Sequence, residues 1–161
     1  MPRGPSPTQH YRPRWFAIGA FAFGYEMTET ERIAQALIAR TLPKAEWTHE
    51  AHLRAGLWHV RSHGAVAALP LLRQRISAYN ESIGTANTAT SGYHETITRF
   101  YVTVIDRFLA TADRDLALDE LAVALRAVYG DRRLPLHHYS EGRLFSPVAR
   151  RSWVEPDLRP I

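Results

Sequence analysis

No cysteine occurs among the 161 residues. That absence excludes disulfides, thiolate nucleophiles, zinc fingers and iron–sulfur clusters, and leaves histidine, carboxylate and hydroxyl groups to bind a metal or do chemistry. No hydrophobic run is long enough to cross a membrane. The apolar stretch from Trp15 to Tyr25 follows arginines as a signal peptide would, yet it is far short of a span and lacks a small-x-small cleavage site. A cytoplasmic protein without membrane partners is therefore expected. Strict apolar–polar alternation never lasts beyond a few residues, so nothing argues for a sheet. Gly84 and Gly92 stand singly and make no phosphate cradle. Ser140 and Ser146 lack the surroundings of a nucleophile elbow.

The net charge of +4 points to nucleic acid only until it is divided along the chain. Residues 28–130 hold eleven basic and eleven acidic side chains and sum to zero. The excess lies at the ends: Arg3, Arg12 and Arg14 against Glu26, then six arginines against four acids in residues 131–161. Scattered terminal arginines read as solvated tails, so a nucleic-acid partner is not expected.

What is present is helix. With 45% apolar side chains, the chain suits one domain with one core. A first helix is expected from about Glu29 to Thr41, opened by a Thr28–Glu31 capping box and stopped by Pro43. Met27 just before it is a second plausible start, which makes residues 1–26 an extension and 27–161 the domain. A second helix runs from a Thr48 cap to about His63, with Gly64 as its stop. A third spans roughly Ala65 to Tyr79, where Pro70 either kinks the helix or marks its first turn. Residues 84–92 form a polar loop. A fourth helix, capped by Ser91, reaches about Ala110, and a fifth covers about Leu116 to Tyr129. Pro135, Pro147, Pro156 and Pro160 break the remainder into short pieces, with one brief helix near Val148 to Trp153. The expectation is an all-α bundle of four to five helices with an irregular C-terminal arm.

The chemistry-bearing residues are histidines. On the second helix His49, His52, His59 and His63 fall within an arc of roughly 80° beside Leu53, Gly56, Leu57 and Val60, and so border the buried face. Glu50 and Arg54 lie away from that arc and read as a solvated face. On the fourth helix His94 and Thr98 project inside the apolar arc of Ile97, Phe100, Tyr101, Val104, Ile105 and Phe108, while Glu95 points to the rim. In an up-down-up order the second and fourth helices are parallel, which brings both N-terminal turns, and with them His49, His52 and His94, to one end.

Three neutral imidazoles there suit a divalent metal (zinc, iron, nickel or copper), with Glu46 or Glu95 as an oxygen ligand. The spacing matches no known zinc signature, since His49-Glu-Ala-His52 is one residue short of His-Glu-x-x-His. The same residues, His49, His52, His94 and Glu95, equally suit general acid–base work on an organic ligand oriented by Asn87, Thr90, Tyr93, Thr96 and Thr98. His138, in the Pro-bounded arm beside His137, is a further candidate as ligand contact or lid. Trp47, Trp58 and Trp153 read as core or arm-docking residues.

The paired stretches Trp47-Thr-His-Glu-Ala-His-Leu53 and Asn87-Thr-Ala-Thr-Ser-Gly-Tyr-His-Glu-Thr96 resemble a family of small bacterial proteins of unknown function, over about residues 28–158. The resemblance implies a bacterial, soluble, single-domain protein and transfers no role to any residue. Two functions follow from the residues: a small-molecule enzyme or binding protein with a histidine-lined, metal-holding or metal-free pocket, or a non-catalytic interaction module. In the latter the histidines are structural and the basic arm docks on a partner. Substrate and oligomeric state are not written in the sequence.

Overall fold

Thr28 opens the first helix as the capping box requires. Its hydroxyl accepts from the Glu31 amide at 3.2 Å, and the Glu31 carboxylate accepts from the Thr28 amide at 2.9 Å. Two orphan donors at the start of α1 (Glu29–Ala39) are thereby satisfied, and Ile33, Ala34 and Leu37 turn inward at helical spacing. This computed structural model describes residues 26–161; the expected extension over residues 1–26 lies outside the described residues except for Glu26. Among the described residues there is no strand, and the fold is all-α.

After a single 3-10 turn (Lys44–Glu46), α2 (His49–Ser82) begins at Thr48, whose hydroxyl accepts from the Ala51 amide at 3.2 Å. It does not run straight. Gly64 breaks it with φ 74° and ψ 157°, a region essentially closed to residues with a Cβ. A straight helix would hold residues 59 and 75 about 24 Å apart, yet Arg75 Nη1 lies 2.7 Å from His59 Nε2. Farther from the turn, the Tyr79 hydroxyl donates to the Leu42 carbonyl at 3.1 Å. α2 is thus a helical hairpin of two antiparallel limbs, 49–63 and 65–82, matching the second and third helices expected. Helical geometry continues through Pro70 in the second limb. The carbonyl deprived of its donor there is that of Val66, which is 93% exposed, so water serves it.

α3 (Glu95–Thr111) starts three residues later than expected, because its cap is His94 and not Ser91: His94 Nδ1 accepts from the Ile97 amide at 3.3 Å. α4 (Leu118–Tyr129) follows, with Glu120 accepting from the Ala117 amide at 2.8 Å. α3 runs parallel to the first limb of α2. His49 meets Tyr101 with ring centroids 5.5 Å apart, and one stage further along both chains Gly56 abuts Ile105, where a Cβ would stand 2.8 Å from Cδ1.

The solvated face expected at Glu50 and Arg54 is corrected by the fold. The Arg54 side chain is 13% exposed, donates to Thr30 Oγ1 at 2.8 Å and Asp119 Oδ1 at 2.9 Å, and pairs with Glu50. Asp119 in turn accepts from the amides of Glu29 and Thr30. A guanidinium has clamped the start of α1, the first limb of α2 and the start of α4, because together those three elements supply the acceptors it needs.

The C-terminal arm is folded back on α3. It contains a 3-10 turn (Leu134–His137), α5 (Glu141–Leu144) and α6 (Pro147–Arg151). Tyr139 and Leu144 from the arm enclose Phe100 and Val104 in a second small core, and the Thr96 hydroxyl donates to the Ser152 carbonyl at 2.9 Å. No helix among the described residues is long and apolar enough to cross a membrane.

Candidate functional site

The parallel packing of the first limb of α2 against α3 leaves a hollow of about 480 Å³. Leu53, Leu72, Ile76, Ile97, Val102 and Ile105 give it an apolar floor; Thr48, His49, His52, Thr98 and Tyr101 are polar residues of its walls, and Arg132 lines it from the segment after α4. Trp47, one residue before the cap, lies flat against His52 with ring centroids 3.7 Å apart. A smaller hollow of about 380 Å³ adjoins it, sharing Trp47, His52, Ile76, Ile97 and Thr98, and adds Lys44, Tyr93 and His94.

The two histidines of the first turn of α2 differ in state. His52 Nδ1 lies 2.7 Å from the Thr48 carbonyl, which can only accept, so Nδ1 carries the proton and Nε2 keeps its lone pair. Desolvation by the surrounding protein pushes its pKa down to about 4 against the opposing pull of that hydrogen bond. The ring is nevertheless exposed on the side of the hollow, and solvent there moderates the shift. His49 is half-buried, its basicity lowered first by burial and then by Arg132. Its Nε2 is enclosed without a hydrogen-bond partner, a deficit of about 1–3 kcal/mol.

His94 reaches the expected end of the bundle but does not join them as a ligand. With Nδ1 accepting from Ile97, its Nε2 carries the proton and donates to the Leu144 carbonyl at 2.9 Å. Both nitrogens are committed. Burial, with Arg150 second, takes its pKa to about 4. Among the described residues no three His, Asp or Glu side chains gather so as to hold a metal. Of the donors expected for a divalent metal, His94 has both ring nitrogens engaged, while His49 and His52 each line the hollow. The reason is local: a helix that starts at Glu95 uses His94 as its cap, and the buried ring is held at both nitrogens by main-chain groups.

Glu95 also needs correcting, from rim to interior. It is 6% exposed, receives Arg73 through both Nε and Nη2, and accepts from the Tyr93 hydroxyl at 2.8 Å. Burial alone would raise its pKa, but these donors hold it below the usual carboxylate range. It is an ionised group held by Arg73 and Tyr93. Glu46 is likewise paired, with Arg32 at 2.7 Å.

Of the expected ligand contacts, Thr98 lines the hollow, although its hydroxyl donates to the His94 carbonyl at 2.9 Å. Tyr93 lines the smaller one. Asn87 and Thr90 line neither. Asn87 staples the loop, accepting from Asn80 and the Tyr93 amide and donating to the Ser77 carbonyl, and the Thr90 amide donates to Thr88 Oγ1. Gly92 completes the staple at φ 74°, where a Cβ would lie 2.6 Å from Asn87 Oδ1. His138 is buried in the arm, its Nδ1 2.9 Å from the Pro160 carbonyl, and is no lid on the hollow. His59 is fully buried against Arg75, and His63 is exposed beside Trp58. Sequence reasoning missed Arg132 and the role of Trp47. Trp47, adjoining the cap, carried a usable signal; Arg132 sits in a turn with no periodicity and carried none.

Compared with protein-family models, curated proteins and solved structures, the chain matches none.

Proposed function

We propose that this chain binds a small organic molecule in the hollow between α2 and α3, with apolar contacts to its floor and one hydrogen bond to Nε2 of His52. The observation that carries the reading is the fixed tautomer of His52: a neutral imidazole with an uncommitted lone pair, set beside an apolar floor. A hollow of about 480 Å³ is of ligand size, and burying hydrocarbon against such a floor contributes roughly 25 cal/mol per Å². With Nδ1 donating to the Thr48 carbonyl, Nε2 of His52 is left as a hydrogen-bond acceptor, so we read the protein as a binding protein for a ligand with a hydroxyl or amine donor. A ligand that turned the His49 ring would also relieve its unpaired Nε2.

The test is calorimetric titration of the chain with 4-phenylbutan-1-ol. Saturable one-to-one binding is expected. His52→Phe keeps the stack on Trp47 and removes the acceptor, and should weaken binding about five- to tenfold; Leu72→Trp fills the floor and should abolish it. Binding indifferent to both substitutions would remove the hollow as the site.

A further inference from the structure

The charges around the hollow specify its ligand further. None of its lining residues is Asp or Glu, while Arg132 contributes a guanidinium. Arg132 is exposed and has no carboxylate partner among the described residues. Asp131, next to it in sequence, is near enough for its charge to act on His49 and Tyr101, but it does not line the hollow, and its oxygens are engaged: Oδ1 accepts from the Arg133 amide at 2.8 Å and Oδ2 lies 3.8 Å from His137 Nε2. Glu50, on the first turn of α2, is spent on Arg54 and Arg126. By contrast the arginines that clamp this fold, Arg32, Arg54 and Arg73, each hold a carboxylate. The amide end of α2, the positive end of its dipole, adjoins the hollow through Thr48 and His49 and adds to the same sign.

Resting on the reading of the hollow as a binding site, we infer that its ligand is a hydrophobic hydroxy monocarboxylic acid, whose hydroxyl is the donor to His52 Nε2. The carboxylate pairs with Arg132, and the hydrocarbon lies on Leu72, Ile76 and Ile105. Arginine offers two parallel N–H donors that match a carboxylate. A phosphate ester carries more charge than one guanidinium answers and would sit poorly over six apolar side chains. One cation above a hydrocarbon floor selects a single negative charge on an apolar body.

A matched series tests this. 2-Hydroxy-4-phenylbutanoate, 2-hydroxy-4-phenylbutanamide and the alcohol 4-phenylbutane-1,2-diol keep the hydroxyl for His52, differ only at the head group and are titrated into the full chain at low and at high salt. The acid is expected to bind at least tenfold more tightly than the amide or the alcohol, and the advantage to shrink with salt, as for an exposed ion pair. Arg132→Gln should erase the advantage, bringing the affinity for the acid to that for the alcohol measured in the same variant. Equal affinities in the wild type, or an advantage that survives Arg132→Gln, overturn the inference while leaving the hollow as a site. If acid, amide and alcohol all fail to bind, or bind equally to Leu72→Trp, the binding site itself is lost and the inference with it.

Discussion

His59 is wholly enclosed, with Nδ1 2.6 Å from the Ala55 carbonyl and Nε2 accepting from Arg75. Burial holds it neutral with a pKa near 4, and His94 shares that state for the same first cause. Both values lie below the 6.5 of an unfolded histidine, so between those limits the unfolded chain binds more protons than the folded one. Their contribution is complete above pH 6.5 and is lost as pH falls toward 4. Urea unfolding should therefore show a stability at pH 5 lower than at pH 7.5 by on the order of 2 kcal/mol for each of the two; equal midpoints would mean that these rings are solvated. Carboxylates held below their usual range, such as Asp119 and Glu95, lose their contribution only on further acidification. At this scale the sequence marked the histidines as bordering the buried face, which holds for His59 and His94 but not for the exposed His52 and His63, and it could not say what each nitrogen meets. His49, His52 and His94 look alike in a string of letters, and the carbonyls of Thr48 and Leu144 separate them.

Among the elements, the hairpin of α2 does most to position the hollow, because its second limb supplies Leu72 and Ile76 to the floor. The reversal depends on Gly64. A Cβ there would meet nothing within 4 Å, so the obstacle is the backbone conformation itself. Gly64→Ala should cost about 1–3 kcal/mol, whereas Gly142→Ala in α5, with open space and ordinary dihedrals, should be close to neutral. Thermal unfolding of the two variants checks this, and equal melting temperatures would contradict it. Caps and stops were legible locally: the Thr28–Glu31 box, the Thr48 cap and the Gly64 break follow from side chains within one turn of the boundary. The start of α3 was not. Ser91 is the better cap by propensity, but the Asn87 staple and the Leu144 carbonyl favour His94 instead.

For the whole molecule, the arm is part of the fold. It covers Phe100 and Val104, which are buried, with Tyr139 and Leu144. A chain ending at Gly130 should expose that second core and leave the monomer peak in size-exclusion chromatography; a stable monomer with native near-ultraviolet circular dichroism would show the arm to be dispensable.

The sequence by itself determined an all-α protein, the places where α1 and α2 begin and where α2 turns, the parallel course of the two histidine-bearing helices and the end at which they meet. These depend on periodicity, capping and chain reversal, which act within a few residues. Only the tertiary structure decided that His94 and Glu95 are spent on structure, that Arg54 is a clamp, and that Arg132 reaches the hollow. Those outcomes depend on which carbonyls, carboxylates and cations distant stretches bring within about 3 Å, the range over which hydrogen bonds form.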